Sequence, residues 1–116
     1  MSSALIIFLK KPDLGKVKTR LAASIGNEKA LAIYRFLLTK HAFQLKGPWD
    51  ILFYWSPAMS KELSETDNYL QKGADIGERM FNSFVEVLGK YDKAVLIGAD
   101  IPEVSADIVQ DAFNKL

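Results

Sequence analysis

The chain has 116 residues, 49% of them hydrophobic, and a formal net charge of +1. That is enough for one globular domain with a real core, read here as residues 1–116. No apolar run approaches the ~18 residues of a membrane span. The first residues do not read as a secretory signal, which leaves the cytoplasm as the default compartment. With no cysteine, disulfides and thiolate metal sites are excluded.

The small net charge conceals two opposed halves. Residues 1–50 hold nine Lys/Arg and three Asp/Glu, whereas residues 51–116 hold six and eleven. Such a division fits a cleft with a phosphate-gripping side and a carboxylate side, or simply two halves that neutralise each other. The basic residues crowd one loop and form no long stripe, so nucleic acid is not an expected partner.

In chain order, Leu5-Ile6-Ile7-Phe8-Leu9 is an unbroken apolar run of strand length and reads as a strand buried on both faces. The loop that follows carries Lys10, Lys11, Lys16, Lys18 and Arg20 against Asp13. Between the carboxyl end of a strand and the amino end of a helix, side-chain cations, backbone N–H groups and the helix dipole can converge on one phosphate. A solvated basic turn without a ligand is the competing reading. A short helix over 19–25 ends at Gly26, and Asn27 caps a longer one with Glu28 in its first turn. Ala30, Ile33, Tyr34, Leu37, Leu38, His41 and Leu45 recur at helical spacing and predict its buried face, ended by Gly47-Pro48. His41, the single histidine, fits packing or capping better than catalysis.

The run Asp50-Ile51-Leu52-Phe53-Tyr54-Trp55 predicts a second strand, closed by Ser56-Pro57. A helical turn near Lys61 to Leu63 and a short strand at Tyr69 to Lys72 follow. Gly73-Ala74-Asp75-Ile76-Gly77-Glu78 then leads into a helix with Met80, Phe81, Phe84, Val85 and Leu88 as its apolar positions. Asp75 can cap this helix, or Gln71, Gly73 and Asp75 can border a nucleotide, glycine permitting close backbone approach. Ala94-Val95-Leu96-Ile97-Gly98 predicts a central strand, with Asp100 just past its carboxyl end. A carboxylate there suits a divalent cation bridging phosphates, or a turn held by local hydrogen bonds. Ser105 caps a last helix that buries Ile108, Val109, Ala112 and Phe113. Strands alternating with helices predict an α/β fold with a mostly parallel sheet. Neither a Walker loop nor a G-x-G-x-x-G fingerprint nor a nucleophile elbow is present, and no catalytic residue stands out.

Three blocks, Lys11-Pro12-Asp13-Leu14-Gly15-Lys16-Val17-Lys18-Thr19-Arg20-Leu21, Gln71 to Met80, and Ile97-Gly98-Ala99-Asp100-Ile101-Pro102, stand in an order that resembles one bacterial family. Its members are called radical-SAM/selenodomain-associated or glycosyltransferase-A-like transferases, within the nucleotide-diphospho-sugar transferase superfamily. The resemblance implies a Rossmann-like α/β/α sandwich and a nucleotide or nucleotide-sugar donor. It implies Lys11, Gly15, Lys18 and Arg20 at the phosphates and Asp100 on Mg²⁺ or Mn²⁺, with Gln71, Gly73 and Asp75 bordering the nucleotide. The reaction implied is glycosyl or nucleotidyl transfer. Family members continue past the last helix here into the acceptor half, and their Asp-Gly-Gly-Tyr-type block is absent. The expectation is therefore the amino-terminal, nucleotide-binding part of such a transferase. Its uncovered flank should drive homo-oligomer formation, and turnover should be low or lost. The alternative is a nucleotide-binding or self-associating module without turnover.

Overall fold

The computed structural model describes residues 2–12, 23–61, 63–99 and 105–116, apart from the side chains of His41 and Phe43. Strand β1 (Ser3–Lys10) forms where the sequence is most apolar, and every residue from Ala4 to Leu9 is buried. Only a strand with neighbours on both edges and layers on both faces can bury such a run. β1 pairs in parallel with β2 (Asp50–Ser56) on one side and with β4 (Lys93–Gly98) on the other. β3 (Asn68–Leu70) adds to the outer side of β2, again in parallel, giving a four-stranded sheet in the order β3-β2-β1-β4.

Three helices have both ends described, α1 (Asn27–Gln44), α2 (Ile76–Leu88) and α3 (Ala106–Asn114), and residues 23–25 are also helical, within the short helix expected over 19–25. Because side chains alternate along a strand, β1 feeds two separate cores. Leu5, Ile7 and Leu9 pack with Tyr34 and Leu38 of α1 and with Val109 and Phe113 of α3. Ala4, Ile6 and Phe8 pack with Leu52, Tyr54 and Val87 of α2. The architecture is a Rossmann-like α/β/α sandwich, as the family resemblance implies, and its sheet is parallel, as the alternation of strands and helices predicts.

Each helix start has a local cause. Gly26 has φ 95°, a conformation natural to glycine, and its carbonyl accepts from the Ala30 N–H, so α1 begins at Asn27 itself. The Asp75 and Ser105 side chains accept from the N–H groups of Glu78 and Ile108, capping α2 and α3. Trp49 ties the lower part of the first core together. Its indole N–H donates to the Leu45 carbonyl at 2.9 Å, and its ring stacks on Phe113 with centroids 5.4 Å apart.

Some expected positions are displaced. In α1 the buried stripe runs through Ala30, Tyr34 and Leu38 and is continued by Leu45 just past the helix end, and Ile33 falls off its edge and is exposed. Ile108 in α3 is likewise exposed, because Val109 and Phe113 point to the sheet. The third short strand spans Asn68–Leu70 rather than Tyr69 to Lys72. It is fixed there by Trp55, whose indole N–H donates to the Asn68 side chain at 2.9 Å. The expected helical turn near Lys61 is not formed at Lys61 or Leu63, and Glu62 lies outside the described residues. The strand expected to be central, β4, pairs only with β1 among the described residues and borders the sheet. The centre belongs to β1.

The second core contains phenols held against carboxylates. The Tyr54 hydroxyl donates to Glu86 Oε1 at 2.7 Å, and the Tyr54 and Tyr69 rings stack at 5.1 Å. Tyr91 donates to Asp50 Oδ2 at 2.7 Å, linking the entry of β4 to that of β2. Burial, then the Glu86 hydrogen bond and charge, raise the Tyr54 phenol well above its ordinary range. The hydrogen bond to Asp50, then burial, push Tyr91 up to about 12. Both phenols hold their protons more tightly in the folded state than in the unfolded chain. Stability should therefore be intact below about pH 10 and fall as pH rises from there through the folded-state values. Chemical denaturation across that alkaline window should show the decline, and Tyr91→Phe should make it shallower.

Candidate functional site

The carboxyl edge of the sheet is the candidate site, and the chain's own topology selects it. From β1 the chain passes to the α1 face and returns as β2. From β3 it passes through α2 on the opposite face and returns as β4. The strand order therefore reverses between the neighbours β1 and β4. In open α/β sheets a ligand crevice lies at such a switch point, outside the carboxyl ends of the strands.

The end of β1 is held from two sides. The Tyr34 hydroxyl from α1 accepts from the Lys10 N–H at 2.7 Å and donates to the Lys10 carbonyl at 2.8 Å. This one hydroxyl satisfies both backbone groups of the last strand residue. The Lys11 N–H donates to the Ser56 carbonyl at 2.7 Å, so β1–β2 pairing continues one residue into the basic loop. On the other flank the Gln71 side-chain amide donates to the Tyr54 carbonyl at 2.8 Å and to the Leu9 carbonyl at 3.3 Å. Its backbone N–H donates to the Trp55 carbonyl at 2.9 Å. Gln71 thus staples the ends of β1 and β2 together. Across the switch point, the Ala99 N–H donates to the Phe8 carbonyl at 2.9 Å and carries β4 up to the residue before Asp100.

The segment after β3 is built around the start of α2. Gly73 has φ +148°, and a Cβ there would stand 2.8 Å from the Arg79 backbone nitrogen. Its missing side chain is needed by the first turn of α2, and approach of a ligand is not required to explain it. The Gly73 carbonyl accepts from Arg79 Nε at 3.1 Å, and the Lys72 carbonyl accepts from the Asn82 amide at 2.8 Å. Asp75 Oδ1 accepts from the Glu78 N–H at 2.8 Å, so of the two readings open for Asp75 the cap is the one observed.

Of the site residues named from sequence, Lys11, Gln71, Gly73 and Asp75 fall within the described structure. Gly15, Lys18, Arg20 and Asp100 lie outside the described residues. Lys11 and Gln71 come together at the ends of β1 and β2, through Ser56, Leu9 and Tyr54. Among the described residues no group of three or more His, Asp or Glu stands together. Tyr34 is the contributor that sequence reasoning assigned only to the core. Its signal was a phenol on an apolar helix face, where a buried hydroxyl needs a partner.

Residues 40–116 match the family DUF2064, described as uncharacterized proteins conserved in bacteria. The chain belongs to the DUF2064 family. It is also similar to a solved structure from Desulfovibrio desulfuricans G20, described as that of a candidate nucleotide-diphospho-sugar transferase. That structure is 33% identical, superposes with a TM-score of 0.87, and is matched over 99% of this chain and 55% of its own. The chain thus spans little more than half of that relative. No curated protein matches it. The fold shared with this relative is that of the nucleotide-diphospho-sugar transferases.

The geometry yields a direct test. Tyr34→Phe would leave both backbone groups of Lys10 without that hydroxyl, and Gln71→Ala would unfasten β1 from β2 at the same level. Each should lower unfolding stability by about 1–3 kcal/mol, the cost of leaving part-buried polar groups unsatisfied. Urea titration of the two variants checks this. Because both residues hold the same strand end, the double variant should depart from additivity.

Proposed function

We propose that this chain is the nucleotide-binding part of a transferase that uses a nucleotide-diphospho-sugar donor, or that transfers a nucleotidyl group. The observation that carries the reading is the switch point between β1 and β4. The basic loop leaves β1 there, and Asp100 follows β4 there in sequence. The 33% identical relative described as a candidate nucleotide-diphospho-sugar transferase supports it. So does the resemblance to the glycosyltransferase-A-like, radical-SAM-associated transferases.

In this reading Lys11, Gly15, Lys18 and Arg20 receive the donor's diphosphate. Arginine offers a planar fork to phosphate oxygens and lysine a movable point charge. The part of Gly15 is to let the backbone come close to the phosphates. Asp100 holds Mg²⁺ or Mn²⁺. No carboxylate cluster is present among the described residues, so the donor's phosphates and water would fill the remaining positions, as Mg²⁺ tolerates. The cation supplies charge neutralisation on the diphosphate. In glycosyl transfer the sugar–phosphate bond breaks and the nucleoside diphosphate leaves, and in nucleotidyl transfer the α–β bond of a nucleoside triphosphate breaks and pyrophosphate leaves, so the same cationic residues serve both. Gln71, Gly73 and Asp75 border the nucleotide from the start of α2, Gln71 by holding the strand ends and Asp75 by capping the helix.

Three measurements test this. Lys18→Ala with Arg20→Ala should weaken nucleoside diphosphate binding by about 2–4 kcal/mol in calorimetry, with the fold kept, since charged hydrogen bonds contribute roughly 1.5–3 kcal/mol each and add incompletely. Unchanged affinity would remove the loop from the site. Asp100→Asn should abolish the gain in nucleotide affinity that Mn²⁺ gives the wild type. An equal gain in both would make Asp100 a structural turn residue. Binding without donor consumption in an acceptor screen would identify a binding module.

A further inference from the structure

The hydroxyl of Tyr34 stands at a place on β1 that a neighbouring strand would ordinarily fill. The Lys11 N–H donates to the Ser56 carbonyl of β2, and the Leu9 carbonyl accepts from Gln71 beside β2. Odd-numbered residues at this end of β1 thus turn their backbone groups toward β2. The Phe8 carbonyl instead accepts from the Ala99 N–H at the end of β4. By the same alternation Lys10 turns both of its groups to the β4 side. There the Tyr34 hydroxyl takes them, at 2.7 Å from the N–H nitrogen and 2.8 Å from the carbonyl oxygen. One step past the bond between Ala99 and Phe8, a phenol from α1 replaces β4 as the neighbour of β1. That step is the switch point itself.

The phenol is a rigid substitute for a strand. Tyr34 is buried and belongs to the first core with Leu9 and Leu38, so packing fixes where its hydroxyl stands. The restraint passes to Lys11. Tyr34 holds the residue before it, Ser56 accepts from its own N–H at 2.7 Å, and the buried Pro12 follows it. A residue ahead of proline is confined to extended backbone. All three restraints act on the backbone from which the half-buried Lys11 side chain departs.

We infer, resting on the nucleotide reading of this edge, that Tyr34 is a positioning residue: through the backbone of Lys10 it fixes the direction from which Lys11 meets the donor's diphosphate. Binding a phosphate with a lysine costs the ordering of its backbone and of its long stem, and a strand end fixed beforehand removes the first of these. The phenol itself needs no contact with phosphate. Its effect is transmitted by two backbone groups and delivered by one ammonium.

Calorimetry with ADP, CDP, GDP and UDP in Mn²⁺ tests this on the wild type, Tyr34→Phe, Lys11→Ala, the double variant and Tyr91→Phe. Tyr91→Phe controls for stability alone, since it removes a phenol hydrogen bond of the same 2.7 Å at the opposite, amino edge of the sheet. Tyr34→Phe should weaken the tightest-binding diphosphate about tenfold, and Tyr91→Phe should leave it unchanged. In the Lys11→Ala background the loss from Tyr34→Phe should shrink to about twofold or less, because the lysine it positions is gone. Amide hydrogen exchange adds a readout that needs no variant: the Lys10 N–H should be protected in the nucleotide-free wild type, as a brace formed before binding requires. Four results each overturn the inference and leave the nucleotide reading standing: unchanged affinity in Tyr34→Phe, an equal loss in Tyr91→Phe, an undiminished loss in the Lys11→Ala background, or a Lys10 N–H protected only once nucleotide is added. A wild type that binds none of these diphosphates overturns the nucleotide reading, and the role of Tyr34 with it, even where the Lys10 N–H is protected.

Discussion

Everything described in this molecule depends on β1 being satisfied on four sides at once. Its backbone is paired to β2 and β4, and its side chains enter two different cores. Leu5, Ile6 and Ile7 are essentially removed from water. Each contributes about 1.5–3 kcal/mol relative to exposure, offsetting much of the cost of ordering the strand. A strand so placed cannot shift register without exchanging its two faces. Its carboxyl end is therefore a fixed point from which a functional loop can start.

That fixed point is reinforced where chemistry is expected. Tyr34 and Gln71 are far apart in sequence and hold the backbone of Lys10 and Leu9 by hydrogen bonds. Preorganised backbone is what a phosphate loop needs, since ordering it at the moment of binding would cost affinity. The same economy governs the start of α2, where Gly73, Asp75 and Arg79 satisfy one another. Residues read from sequence as neighbours of a nucleotide also make the helix start rigid.

The two faces differ in how they are closed. On the α1 side, Trp49 and Phe113 seal the core with stacked aromatics, while on the α2 side phenols are anchored on Glu86 and Asp50. α2 covers its side only in part. Its Asn82 and Arg79 side chains are tied to the segment after β3, Val87 enters the core, and Phe81, Val85 and Leu88 are exposed.

The alternation of strands and helices, the depth of β1, and the caps at Asp75 and Ser105 were all legible in the sequence, because each rests on local chemistry: apolar runs, helical spacing, and carboxylates or hydroxyls ahead of a helix. The basic loop after β1 and Asp100 after β4 were legible as candidates for the same reason. What the tertiary structure decided is which residues those local rules serve. Ile33 and Ile108 have apolar side chains at helical spacing, yet the angle at which each helix meets the sheet buries Tyr34 and Val109 and leaves them in water. Gly73 and Gln71 read as ligand neighbours, and the structure adds their contacts with Arg79, Leu9 and Tyr54, which no spacing along the chain reveals. The edge position of β4 was equally hidden, since a buried apolar run does not say how many neighbours a strand has. Sequence determined the elements and their order through short-range physics; the assignment of partners required the long-range packing that brings Lys10, Tyr34 and Gln71 to one strand end.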